Sequence, residues 1–282
     1  MKYILVIAGS DSSGGAGVQA DIKTIASLGA HALTVITAVT AQNSLGITAV
    51  HTVPAEFISL QLETVVSDQF PDAVKIGMLY SGALVREVAG FVKRHELPNV
   101  VVDPVLKATT GKGLLEPDGL SPLKHELLPL AKVVTPNWYE AGVLAGKKIK
   151  NLDGVAEAAG RIKKMGPDVV ITGGHQEHDC TDFLYDGKSS HAFSGLRIDT
   201  VHTHGSGRVF SSALATLLAE EENVVTATQV AHDFTRRAIS DAFLCGRGSG
   251  TVRSALGLEN RLRSTGPGTQ ENNSGGKRVD AN

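Results

Sequence analysis

Apolar residues along this chain fall into two alternating textures. Some form short unbroken runs, and others recur three and four positions apart. The unbroken runs predict strands over 3–9, 32–39, 73–79, 99–105, 131–137 and 168–175. The spaced stretches predict helices over 17–30, 54–68, 82–96, near 119–130, and over 152–166, near 207–222 and near 226–244. In the first helix Ile22, Ile25 and Leu28 share a face. In the third, Leu84, Val88 and Phe91 do so. The alternation breaks at 181–198, where two strand-like runs flank Asp186–Gly187, a turn dipeptide that predicts a hairpin.

Strands alternating with helices of 10–15 residues predict an α/β fold with a mostly parallel sheet, covered by helices on both faces. Such strands are buried on both sides, which explains why they read as continuous apolar runs. Composition agrees, since 42% of the 282 residues are hydrophobic and 20% charged. One folded domain is expected over 1–258 and a disordered tail over 259–282. From Ser264 onward Val279 is the one large apolar residue, too little to offset the entropy of ordering. A formal net charge of −2 speaks against nucleic acid or a membrane surface as partner, because both call for a basic face. No apolar run reaches the roughly 18 residues needed to cross a bilayer. The N-terminal run reads as a buried first strand, and the expected location is the cytoplasm. Cys180 and Cys245 form no metal or disulfide pattern and are expected to be reduced.

In sheets of this kind ligands bind at the carboxyl ends of the strands, and four informative stretches fall there. "AGSDSSGGAGVQAD" (8–21) is glycine-rich but has neither the Gly-Lys-Ser/Thr of a P-loop nor dinucleotide-binding spacing. Asp21 reads either as an exposed first-turn carboxylate or as a ligand contact. "TAVTAQNSLG" (37–46) is a polar turn, or a place where Gln42 and Asn43 read a heteroaromatic ring. Asp103, Asn137 and Glu140 fit a Mg²⁺ site, while Asn137 with Glu140 three residues on also has the spacing of a capping box. In "VHTHGSGRVFSS" Gly205 and Gly207 sit where a helix starts, and free N–H groups there attract an anion. The same stretch also reads as a glycine-rich helix start without a ligand. His202 and His204, and His175, His178, Asp179 and Cys180, lack the ligand spacing of a zinc site.

Taken in order, "AGSDSSGGAGVQADIKT", "TAVTAQNSLG", "KIGML", "VVDPV", "TPNWYEA", "TGGH" and "THGSG" resemble the hydroxymethylpyrimidine/phosphomethylpyrimidine kinases of thiamine biosynthesis, within the ribokinase-like superfamily. The resemblance covers roughly residues 1–245. It implies a ribokinase-like, three-layered fold with a central mostly parallel sheet between helices. It implies transfer of the ATP γ-phosphate, with Mg²⁺, to 4-amino-5-hydroxymethyl-2-methylpyrimidine and then to its monophosphate. It also implies a homodimer. By the same carry-over Ala16, Asp21, Gln42 and Met78 bind the pyrimidine. Gly205, Ser206 and Gly207 hold the transferring phosphoryl group beside Arg208. Asp103 and Glu140 lie near the metal, and Asn137, Thr172 and Gly174 lie near the nucleotide. Pyridoxal kinases are the neighbouring alternative.

The chain departs from that family at one chemically important place. The family's motif typically reads Thr-His-Gly-Thr-Gly-Cys, and its cysteine is thought to activate the acceptor hydroxyl. Here the stretch ends in Ser206-Gly207-Arg208. A guanidinium stays charged and accepts no proton. Many members also carry lysine where this chain has Thr172. Three readings follow: a kinase, weakened or not, in which Arg208 supplies charge at the phosphates; a binder of pyrimidine or nucleotide that does not turn over; and a kinase whose Arg208 faces solvent while another group, such as Asp21 or water, takes the proton.

Overall fold

The computed structural model describes residues 1–108, 110–173 and 179–256. Nine strands form one sheet in the order β3-β2-β1-β4-β5-β6-β7-β8-β9. They are β1 (Tyr3–Asp11), β2 (His31–Asn43), β3 (Gly46–Thr52), β4 (Ala73–Ile76), β5 (Val100–Val102), β6 (Val133–Val134), β7 (Asp168–Ile171), β8 (Asp179–Tyr185) and β9 (Ser190–Leu196). From β2 to β7 every neighbouring pair is parallel. Antiparallel pairs add β3 at one edge and β8–β9 at the other. The expected parallel core and the hairpin around Asp186–Gly187 are both present.

Helices cover both faces. α2 (Ala55–Val66), α3 (Gly82–Arg94), α5 (Trp138–Ala145) and α6 (Leu152–Lys163) pack on one core, with Leu62, Phe91, Leu144 and Ile162 buried in it. On the other face lie α1 (Gly17–Ser27), α7 (Ser206–Ala219) and α8 (Val224–Ser240), around Ile25, Phe210 and Leu214. α7 is the innermost helix, buried along most of its length. Its first turn is thereby fixed at the carboxyl edge of the sheet.

Several expectations need correction. The stretch 37–46 is no polar turn after a strand. β2 runs on to Asn43, and the chain returns as β3, a strand the apolar pattern misses because most of its residues are exposed or half-exposed. On α1, Ile22 is 41% exposed, and the inner face is instead Val18, Asp21 and Ile25. Near 119–130 there is no regular helix. A 3₁₀ turn (Pro117–Gly119), one α turn α4 (Leu120–Pro122), a π turn (Leu123–Leu127) and a second 3₁₀ turn (Leu128–Leu130) follow one another. Pro117, Pro122 and Pro129 each lack the N–H a regular helix needs. β5 and β6 stop short of the expected 105 and 137, with Pro104 and Pro136 just beyond them.

Candidate active site

β1 pairs with β2 on one side and β4 on the other, so the strand order reverses there. The crevice at such a reversal is where doubly wound sheets take ligands. A cleft opens at that point, enclosing about 500 Å³ including its mouth. Its apolar wall includes Ala16, Ile47, Met78 and Leu114. Its polar wall includes Asp11, Thr40, Gln42, Lys75, His204 and Arg208.

The glycine-rich segment after β1 is shaped by Asp11. This carboxylate accepts hydrogen bonds from the Ser13 N–H (2.8 Å), the Ser13 hydroxyl (2.7 Å) and the Ala16 N–H (2.8 Å). Burial raises its pKa, but the neighbouring His204 and the two Ser13 donors outweigh burial and hold it at about 2. Gly17 has φ +56°, and a Cβ there would lie 2.8 Å from the Asp11 nitrogen. Gly205, the N-cap of α7, has φ +90°, and a Cβ there would run into the Gly15 carbonyl. At Gly205 and Gly15 the two segments approach each other backbone to backbone. Gly205→Ala is expected to cost about 1–3 kcal/mol through backbone strain, read as a lower urea midpoint.

α7 begins at Ser206, so Arg208 stands in its first turn rather than at its first position. The Ser206 N–H donates to the Thr203 carbonyl and the Arg208 N–H to the Gly205 carbonyl, which engages part of the expected anion cradle. Gly207 is exposed, with open space where a side chain would be. A phosphate can approach the helix end from that side. Arg208 is half-buried and lines the cleft. Its charge reaches Asp103 and Glu140.

Behind the cleft lies a buried charge network that the apolar pattern hides. Lys75, only 1% exposed in the middle of β4, donates to both Asp21 oxygens at 3.0 Å. Its Nζ stands 4.0 Å from Asp103 Oδ2. The Ser212 hydroxyl donates to Asp21 at 2.7 Å, and the Ser211 hydroxyl to Asp103 at 3.4 Å. Asp21 is fully buried, so it is not an exposed first-turn carboxylate, and it stands behind the residues that line the cleft. It is the counter-ion of Lys75. A lysine inside "AVKIGML" was the one signal of this network in the sequence.

Asp103 and Glu140 are both buried, and desolvation raises both pKa values, Glu140's to about 8. The Asp103 charge pushes Glu140 further up, while Arg208 pulls both down. The capping box is real: the Glu140 N–H donates to the Asn137 side chain, and Glu140 accepts from the Asn137 N–H, each at 3.0 Å. Two buried, electrostatically coupled carboxylates within reach of the Arg208 charge also fit a divalent cation held largely through water. Among the described residues no three His, Cys, Asp or Glu side chains gather as a metal cluster. Asn137 bridges to Thr172, which puts the ends of β6 and β7 side by side. Beside them Asp182 accepts from the Gly173 N–H (2.8 Å) and meets His232 Nδ1 at 2.7 Å. Gly174, His175 and His178 lie outside the described residues.

Glu140 carries a pH signature. Its folded pKa of about 8 lies above the ordinary 4.5 of a glutamate, so the folded state binds the extra proton between them. Its favourable contribution is full below about 4.5 and lost as pH rises through 8. Glu140→Gln is expected to flatten the decline in urea stability between pH 5 and 9.

Comparison with known proteins decides the family. The sequence profile of phosphomethylpyrimidine kinase matches residues 11–253. The chain belongs to the phosphomethylpyrimidine kinase family. It is 40% identical over 264 residues to the hydroxymethylpyrimidine/phosphomethylpyrimidine kinase of Bacillus subtilis, covering 93% of this chain and 97% of that protein. The pyridoxal kinase of Bacillus subtilis, solved as an ADP complex, superposes with a TM-score of 0.85 at 37% identity, covering 92% of this chain and 99% of that one. Phosphomethylpyrimidine kinase from Clostridium difficile superposes with a TM-score of 0.76 at 36% identity, covering 85% and 100%. The fold of this family member is thus ribokinase-like, as the resemblance implies.

Proposed function

We propose that this chain phosphorylates 4-amino-5-hydroxymethyl-2-methylpyrimidine and then its monophosphate, using ATP and Mg²⁺, as a step of thiamine diphosphate biosynthesis. The carrying observation is the cleft at the β1/β4 reversal. One wall is apolar and suits a methylated ring, Gln42 offers an amide to ring nitrogens, and Arg208 and the start of α7 lie at the charged end. Ala16 and Met78 pack the ring, and Gln42 reads its edge. Gly205, Ser206, Gly207 and Arg208 face the transferring phosphoryl group. Asn137, Thr172 and Gly174 border the nucleotide. Asp103 and Glu140 would hold Mg²⁺, which when bound supplies charge neutralisation at the phosphates.

Phosphoryl transfer of this kind is mainly positioning and neutralisation of charge. The chain's own contributions are the rigid α7 start, the guanidinium of Arg208 and a cleft that orients the hydroxymethyl group. A homodimer and a cytoplasmic location are part of the same proposal. Among the described residues no helix is long and apolar enough to cross a membrane. Light scattering during size exclusion tests the dimer.

Purified protein with Mg-ATP is expected to release ADP well above background when hydroxymethylpyrimidine is added. A preference for pyridoxal would instead support the second reading, which the close superposition on a pyridoxal kinase favours. Thermal stabilisation by the pyrimidine with no ADP would identify a binder and overturn the kinase assignment.

A further inference from the structure

The hydroxyl that attacks a phosphoryl group must lose its proton, and the cleft holds few groups able to take it. Its titratable lining among the described residues is Asp11, Lys75, His204 and Arg208. Arg208 has no acceptor. Lys75 is buried and committed to Asp21. Asp11 spends its oxygens on Ser13 and Ala16, and at a pKa of about 2 it is a weak base. His204 remains.

We propose that His204, oriented by Asp11, is the general base of this chain, a role that rests on the kinase reading above. Its side chain is 21% exposed, and Nε2 stands 3.5 Å from Asp11 Oδ2. With Nε2–H turned to that carboxylate, Nδ1 carries the lone pair. The order carboxylate, imidazole, hydroxyl is the arrangement that fixes a histidine's tautomer in many transfer sites. The 3.5 Å separation is long, as such contacts commonly are before substrate closes the site.

The ring's position is built rather than incidental. The His204 carbonyl accepts from the Val252 N–H (3.1 Å) and the Thr251 hydroxyl (3.2 Å). Gly15 leaves the ring its place, since a Cβ there would lie 3.0 Å from His204 Cδ2. His204 directly precedes the N-cap of α7, so the base sits beside the proposed phosphoryl position. The charged and titratable groups around it are Asp11 from β1, Lys75 from β4, Arg208 from α7 and His202 on its own segment. His202 accepts from the Gly250 N–H.

In the step, the acceptor O–H bond breaks and its proton passes to Nδ1. The oxygen's electron pair forms the new P–O bond to the γ-phosphorus. The bond from that phosphorus to the β,γ-bridging oxygen breaks, and its pair leaves on ADP. The imidazolium then returns its proton to water.

The test is the pH dependence of turnover for wild type, His204→Gln and Asp11→Asn, each checked for thermal stabilisation by AMP-PCP. His204→Gln is expected to lower kcat by about 10²–10⁴-fold, keep the KM for Mg-ATP within about threefold, and lose the acid limb of kcat/KM. Asp11→Asn is expected to lower kcat less and to displace that limb. Added imidazole is expected to restore part of the activity of His204→Gly. Wild-type kcat and an unchanged acid limb in His204→Gln would overturn the assignment. So would a parallel loss of kcat and AMP-PCP stabilisation, the mark of a structural role. If His204→Gln does not fold, the Asp11→Asn profile decides, and an unmoved limb overturns the proposal. A wild type silent with every acceptor sinks the kinase reading itself, and this role with it.

Discussion

Lys75→Met is expected to lower the free energy of unfolding by about 3–5 kcal/mol, the usual result of removing one partner of a buried ion pair. The reason lies in what remains. Asp21 is fully buried, and among the described residues its one cationic partner is Lys75, so the substitution leaves it there with the Ser212 hydroxyl alone. Asp103, 4.0 Å from the same ammonium, loses part of its neutralisation as well. Methionine matches the length of lysine closely enough that packing in β4 is not the main loss. Lys75→Met combined with Asp21→Asn is expected to recover most of the stability, because the stranded charge is gone while the Ser212 bond can persist. Urea unfolding of the two variants beside wild type separates the cases. A single variant within 1 kcal/mol of wild type, or a double variant no better than the single, would show that the network is not what holds α1, β4 and α7 together.

That network also shows where the sequence stops being legible. The parallel strands could be read because burial on both faces leaves an apolar run, as in β1 and β4. β3 could not, because it pairs at an edge and its alternation carries little apolar contrast. The stretch 117–130 has helical spacing, yet three prolines divide it into turns. Within the site, Ala16, Gln42, Met78 and Arg208 were named and do line the cleft. Asp21 reads as exposed because a carboxylate in a helix's first turns looks so until its partner is seen, and that partner lies 54 residues away on another strand. In sequence His204 reads only as a candidate metal ligand. Its role emerges when the fold brings it to Asp11, at the far end of the chain.

Arg208→Ala is expected to reduce kcat by about 10²–10³-fold, the scale for losing one preorganised group at a site of developing charge, with the KM for the pyrimidine little changed. Burial has raised the pKa values of Asp103 and Glu140, and the Arg208 charge opposes that rise. Without it, Asp103 and Glu140 shift further upward, and incoming phosphates meet a cleft with one positive charge fewer. Arg208→Lys is expected to fall between, since lysine keeps the charge but loses the planar fork. Arg208→Cys sharpens the argument. If His204 takes the proton, a cysteine at 208 adds no needed base, and this variant should be as slow as Arg208→Ala. If the arginine has silenced an otherwise intact kinase, Arg208→Cys should turn over faster than wild type. ADP release from the four proteins at one pH measures the difference. A gain in Arg208→Cys would move the chemistry from His204 back to position 208.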